Sequence, residues 1–325
     1  MTHSQELIEK NALVQHFDEH GFVVVENVFD AELDFQPLID DYAELLNSLA
    51  EQWLQQGKLS ATYRELPFAQ QFAQIVRELK DPWYQHFDFS LPQEKITPQT
   101  PIHLSAPIFK LMTHPKLLDV VELFVGSEIL VNPVHHVRIK PPEGLITHRE
   151  TASTLTLKTE WHQDQGVVLP EADETTILTV WLPLVDTTIE NGCLCVIPGT
   201  HKGELVTHCP GIQTHIPEKL LPGQPIALPI KKGSVLLMHR RTIHSSLTNH
   251  STGIRWSFDL RYQPLHQPTG RPDFPAFIAR SQQHPEKVMT DYRLWQQLWL
   301  DTRERLAERD KPKFQRWNSD APACA

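Results

Sequence analysis

Long apolar runs are missing from this sequence. No stretch of the 325 residues approaches the about eighteen apolar residues of a membrane-spanning helix, and the start, Met1 to Asn11, is polar and mixed in charge rather than an apolar export signal. The expectation is a soluble, unprocessed, cytoplasmic chain with no membrane partner. Positive charge is also short: 30 Lys and Arg stand against 40 Asp and Glu, a net charge of -10 that repels a phosphate backbone and argues against nucleic-acid binding. Cysteine is scarce. Cys193, Cys195, Cys209 and Cys324 match neither a disulfide framework nor a zinc set, so a reducing environment is expected. Cys193 and Cys195 share one face of a strand and are read as small core residues. No glycine-rich loop opens a helix, as a phosphate or nucleotide enzyme would need, and no internal repeat is present.

What is abundant is pattern. Val14, Phe17 and Phe22 with Gly21 between them read as a helix end, a glycine turn and a strand over Val23 to Val28. Asp30 reads as the N-cap of a long amphipathic helix carrying Leu33, Leu38, Tyr42, Leu45, Leu46, Leu49 and Trp53. Further helices are expected at Phe68 to Leu79 and at Pro115 to Val125, the latter closed by Gly126. The text then changes to short β-rich segments: Ile129 to Val131, Val134 to Ile139, Thr154 to Trp161, Thr175 to Leu184, Leu194 to Ile197, Gln224 to Ile230, Ser234 to His239 and Ile254 to Tyr262. Their spacing favours a jelly roll or barrel. A helix returns around Val288 to Arg309. The chain therefore reads as one domain over 1–325, mainly β with flanking helices: a largely helical part over 1–127, a β core over 128–263 and a helical extension over 264–325.

The 18 histidines make spacing the only guide to function. Trp161-His162-Gln163-Asp164 ends a predicted strand, and residues two apart on an extended segment share a face, so His162 and Asp164 can converge on one point. His244, from a neighbouring strand, completes three ligands. Two imidazoles and one carboxylate on one side of an octahedron leave the other side open, the arrangement of non-haem iron(II) oxygenases; zinc would more often take a tetrahedral set. Arg255-Trp256-Ser257-Phe258-Asp259-Leu260 alternates so that Arg255 and Ser257 face one way and the bulky apolar residues the other. A guanidinium facing into a barrel needs an anion, and a dicarboxylate bound to the metal would supply one. The competing structural role pairs Arg255 with an internal acid such as Asp259.

In order along the chain, His162-Gln163-Asp164, Asn191-Gly192-Cys193-Leu194 leading to Pro198-Gly199-Thr200-His201, Lys232-Gly233-Ser234-Val235, and His244-Ser245-Ser246 with Asn249, Ser251 and Arg255 resemble the phytanoyl-CoA dioxygenase family. The likeness runs from about Leu13 through Tyr262. It implies a double-stranded β-helix (jelly roll, cupin-like) and an iron(II)- and 2-oxoglutarate-dependent dioxygenase that consumes O2, hydroxylates a small molecule and releases succinate and CO2. It further implies that His162, Asp164 and His244 hold the iron and that Arg255 meets the distal carboxylate of 2-oxoglutarate. Trp181 would line the cosubstrate site, and Ser246 and Ser257 would place hydroxyls near that carboxylate. A carboxylate at 164, rather than a small residue, favours hydroxylation over halogenation. The glycine and proline motifs are turn chemistry.

The substrate is less legible. His135, His136 and Arg138 on an early strand, with Arg240 and Arg241 before His244, favour a small molecule bearing a carboxylate or phosphate. Two irregular pieces are candidates to cap it: Glu143 to Lys158, with His148 and Arg149, and the stretch from Gly270 to Pro275 on through Trp295, Trp299 and Trp317. The alternatives are a cupin-type metalloenzyme that does not use 2-oxoglutarate, which gives no reason for Arg255, and a non-catalytic small-acid-binding protein, which leaves the three ligands unexplained.

Overall fold

The architecture follows from one alternating strand and the layers on its two sides. In chain order the helices and strands are α1 (His3–His20), β1 (Phe22–Val25), α2 (Gln36–Gln55), α3 (Phe68–Glu78), α4 (Ala106–Met112), α5 (Pro115–Val125), β2 (Ile129–Val131), β3 (His136–Lys140), β4 (Leu178–Pro183), β5 (Leu194–Val196), β6 (Ile226–Leu228), β7 (Val235–His239), β8 (His244–Ser246), β9 (Arg255–Pro264), β10 (Phe277–Arg280) and α6 (Tyr292–Ala307). The structure is a computed structural model that describes residues 3–146, 156–211, 213–309, 314, 316–317 and 320–324.

Two antiparallel sheets form the β core. The larger has seven strands in the order β1-β7-β4-β9-β2-β10, with β3 also on β9; the smaller runs β6-β5-β8. β9 is the longest strand at 10 residues and pairs with β4 along one edge and with β3 and β2 along the other. Its even-numbered residues Trp256, Phe258, Leu260 and Tyr262 enter a core shared with the helices: Trp256 stacks on Phe68 at 4.7 Å, and the Tyr262 hydroxyl donates to the Met112 carbonyl at 2.8 Å. The odd-numbered Arg255, Ser257, Asp259, Arg261 and Gln263 are just as buried but face the smaller sheet. Apolar burial on one face supplies stability, while every polar group on the other must find a partner.

Helix termini follow local chemistry. Gly21 ends α1 with φ +81°, and a Cβ there would lie 2.4 Å from the His201 ring. α2 starts at Gln36 rather than after Asp30, because Pro37 suits the first turn; Asp30 instead caps a preceding turn, accepting from the amides of Glu32 and Leu33. α3 and α5 lie where periodicity places them.

Three expectations need correction. Within Thr154 to Trp161, residues 154 and 155 lie outside the described residues and 156–161 form no regular strand; only His162 bridges to His244. The extension over 264–325 is not helical throughout, since β10 pairs with β2. Cys209 and Cys324 are joined in a disulfide across 115 residues of sequence, whereas Cys193 and Cys195 are free and buried as expected.

Candidate active site

His162 and His244 meet through a two-residue antiparallel bridge, each amide donating to the other's carbonyl at 3.0 Å. This puts the two rings side by side, with centroids 4.1 Å apart. Each ring is then turned by a carbonyl of its own chain: Nδ1 of His162 donates to the Glu160 carbonyl at 2.8 Å, and Nδ1 of His244 to the Thr242 carbonyl at 2.9 Å. A carbonyl only accepts, so Nδ1 carries the proton and Nε2 keeps its lone pair for a metal. Burial, reinforced by His244, holds His162 well below its ordinary value, which keeps the ring neutral.

Asp164 follows on a short turn. Its carboxylate is fully enclosed, with Oδ1 at 3.8 Å from Nε2 of His162. Arg261 Nη2 donates to Oδ1 and the Thr179 hydroxyl to Oδ2. Burial alone would raise this carboxyl, but the Arg261 charge, with the Thr179 hydroxyl donating beside it, outweighs burial and holds it well below the usual carboxylate range. One ligand atom from each of His162, Asp164 and His244 lies within 4.8 Å of the others, and all three side chains are buried. Two neutral nitrogens and one carboxylate oxygen on one side fit a six-coordinate divalent iron with open positions.

Arg255 is 0% exposed. Its Nη1 donates to the Ser257 hydroxyl at 2.7 Å and its guanidinium lies 5.7 Å over the Trp181 ring, but Nε and Nη2 have no partner among the described residues. Burial pushes its pKa down to about 10. Asp259 favours the Arg255 charge from a distance but accepts no hydrogen bond from the idle donors, because that carboxylate is taken by Nε of Arg138. A fully enclosed guanidinium with two idle donors fits the far carboxylate of a dicarboxylate. Trp181 brings an unpartnered indole Nε1 to the same place.

Ser246 lies at the end of a polar chain that starts at Lys140. Its hydroxyl accepts from Nζ of Lys140 at 2.9 Å and from the Thr159 amide at 2.8 Å, leaving its own proton free to donate. Lys140 stands opposite Arg255 in the β3–β9 register and also donates to the Thr159 hydroxyl. Burial, then the Arg255 charge, lowers its pKa well below the ordinary lysine value. Lys140, Thr179 and Arg261 are residues that sequence reasoning missed. The alternation that flagged Arg255 and Ser257 continues through Asp259, Arg261 and Gln263, and following it two steps further would have found Arg261.

The residues proposed for substrate are mostly committed elsewhere. His136 pairs with Asp88 at 2.7 Å and His135 stacks on Phe89 at 4.3 Å. Arg138 bonds Asp259, Arg240 the Thr175 carbonyl, and Arg241 the Gln165 side chain at 2.9 Å. His148 and Arg149 lie outside the described residues. Trp295 and Trp299 are core residues under the sheet, whereas Trp317 sits on the ligand loop.

Comparison with known proteins agrees with this geometry. Residues 17–257 match the phytanoyl-CoA dioxygenase (PhyH) family. The 1-deoxypentalenic acid 11-beta-hydroxylase of Streptomyces arenae is 27% identical over 282 residues, covering 81% of this chain and 84% of that protein. A probable alpha-ketoglutarate-dependent hypophosphite dioxygenase of Stutzerimonas stutzeri is 30% identical over 154 residues, 45% of this chain and 49% of that protein. Among solved structures, the epimerase SnoN in complex with Fe3+, alpha ketoglutarate and nogalamycin RO shares the fold with a TM-score of 0.50 and 20% identity, over 81% of this chain and 88% of that one.

Proposed function

The chain belongs to the phytanoyl-CoA dioxygenase family and is an iron(II)- and 2-oxoglutarate-dependent dioxygenase, and on that premise we propose that His162, Asp164 and His244 hold the iron while Arg255 anchors the cosubstrate. The single observation carrying the anchor is the buried guanidinium with two idle donors. Trp181 packs the cosubstrate's side, and Ser257 holds Nη1 so that Nε and Nη2 remain for the carboxylate. Ser246, donating from the end of the Lys140 chain, adds a second polar contact.

Held by His162, Asp164 and His244 with Arg255 on the cosubstrate, iron(II) and 2-oxoglutarate would supply the activation of dioxygen for hydroxylation, with succinate and CO2 as coproducts. The protein's part is orientation and dryness. Two backbone carbonyls fix the imidazole tautomers, and Arg261 and Thr179 fix the Asp164 oxygens. Enclosure of all three ligands keeps bulk water away.

Chains like this one act on small molecules. We read the substrate as an anion, since one relative is named for an acid and another for hypophosphite. The core continuous from α2 through β9 to α6 supports a single domain over 1–325. No helix among the described residues is long and apolar enough to cross a membrane, and a cytoplasmic site is part of this reading.

Calorimetry under anaerobic conditions tests the anchor. Arg255→Ala should weaken 2-oxoglutarate binding by about 2–5 kcal/mol and leave iron(II) binding intact. Equal loss of both would assign Arg255 to structure alone.

A further inference from the structure

The geometry points to a clasp: the C-terminal segment grips the loop that carries the metal ligands, with His208 and Trp317 as positioning residues and the Cys209–Cys324 disulfide as the latch. This rests on the reading of His162 and Asp164 as ligands. Gln163, between them, is held on every side. Its amide donates to Nε2 of His208 at 2.9 Å, its Oε1 accepts from the Val206 amide at 2.8 Å, and its Nε2 donates to the Arg241 carbonyl at 2.8 Å. His208 Nδ1 donates to the Val206 carbonyl at 2.8 Å, so the ring is neutral and Nε2 is the acceptor.

The His208 ring is pressed between two surfaces. On one side is Gly166, where a Cβ would lie 2.5 Å from the imidazole, so only glycine lets the loop approach. On the other is Trp317, stacked at 5.0 Å, whose Nε1 donates to the Gly166 carbonyl at 2.7 Å. Next to it, Arg316 reaches the Gln165 carbonyl at 3.3 Å and takes both oxygens of Asp173, at 2.5 and 2.8 Å. Arg316 and Trp317 thus hold the backbone of Gln165 and Gly166, directly after the ligand pair, and Trp317 also covers the His208 ring that supports Gln163. Cys209 follows His208 directly, so its bond to Cys324 ties the tail to the strand position that holds Gln163.

The latch can open chemically. Cys324 is half-buried and Cys209 buried. A thiolate of a dithiol reductant attacks Cys324 Sγ, the S–S bond breaks, and Cys209 leaves as a thiolate that takes up a proton. The second thiolate of the reductant then displaces and frees Cys324, which is protonated in turn. Two electrons and two protons pass to the protein and the dithiol becomes a disulfide. Disulfides inside reducing compartments are mostly of this transient, sensing kind. Opening frees one end of the tail, and the stack on His208 loses its tether.

Thiol titration, hydrogen exchange and cobalt(II) binding test the clasp on the full chain. Protein purified without reductant should show two thiols after denaturation, and four after dithiothreitol. Reduction should speed amide exchange in the peptide spanning residues 160–168 and weaken cobalt(II) binding by about tenfold or more, at unchanged secondary structure. Cys324→Ser should match the reduced protein and ignore dithiothreitol. Trp317→Phe should fall between wild type and Trp317→Ala, and His208→Gln, which keeps an acceptor, should recover part of what His208→Ala loses. Four thiols before reduction, or unchanged exchange and affinity after it, would overturn the proposal. If the oxidised protein binds no cobalt(II), the metal assignment fails, and the exchange experiment still decides the clasp.

Discussion

The two faces of β9 are equally dry and chemically opposite. Trp256, Phe258, Leu260 and Tyr262 sit among aromatic and aliphatic neighbours and are held chiefly by contact, with the Tyr262 hydroxyl alone donating, to the Met112 carbonyl. Arg255, Ser257, Asp259, Arg261 and Gln263 are buried to the same degree, and almost all of their polar groups are spoken for: Asp259 by Arg138, Arg261 by Asp164 and the Val134 carbonyl, Gln263 by Asn132. Arg255 is the member left with most to offer. Burial by itself therefore does not mark a functional residue. A buried charge with two donors left idle is the stronger pointer, because such a group costs free energy until an anion arrives, and Arg255 combines both where buried indoles such as Trp295 and Trp299 leave only one neutral N–H unpaired.

Four measurements break or sharpen that contrast. The largest effect belongs to the metal end: His244→Ala removes one of three ligands, and both iron(II) binding and turnover should fall below detection while the melting temperature stays close to wild type. A large loss of stability instead would make His244 a core residue. On the apolar face, Phe258→Ala should cost about 3–5 kcal/mol by denaturant titration, with 2-oxoglutarate affinity retained by whatever fraction stays folded. On the polar face the sign reverses. Arg255→Met removes a buried guanidinium with two unpaired donors, so the chain without cosubstrate should gain up to about 4 kcal/mol while losing 2-oxoglutarate binding. A destabilised Arg255→Met would show that the guanidinium is already satisfied.

The smallest effect is on pH. Burial pushes His135 down to about 3, and His208 and His239 to about 4. Folded, these rings bind fewer protons than the unfolded chain does below its ordinary value of 6.5. Their contribution to stability is thus whole above that value and is lost as pH falls from there toward about 4. Melting curves between about pH 8 and pH 4 should decline accordingly, and His208→Gln should flatten part of the decline. A profile unchanged by the substitution would remove His208 from the account.

The proposed metal ligands and Arg255 were legible because each lies on a local signal: a triplet with strand spacing, a histidine followed eleven residues later by an alternating strand, and an ordered set of family motifs. The long helices were legible from periodicity. The missed elements were short. β8 has three residues and β10 four, and strands that short form because a partner is waiting rather than because their own pattern demands it. The missed contacts were distant: Arg261 meets Asp164 across 97 residues, His208 meets Gln163 across 45, and Cys209 meets Cys324 across 115. Nothing in a single sequence distinguishes a cysteine with such a partner from one without.

The strict alternation along β9 also acts as a ruler during assembly. Sliding the strand by one residue against β4 would drive Arg255, Asp259 and Arg261 into the aromatic layer and turn Trp256, Phe258 and Tyr262 toward the ligands. A register error would exchange the two faces outright, so the pairing that seals the apolar core also places the polar groups of the site.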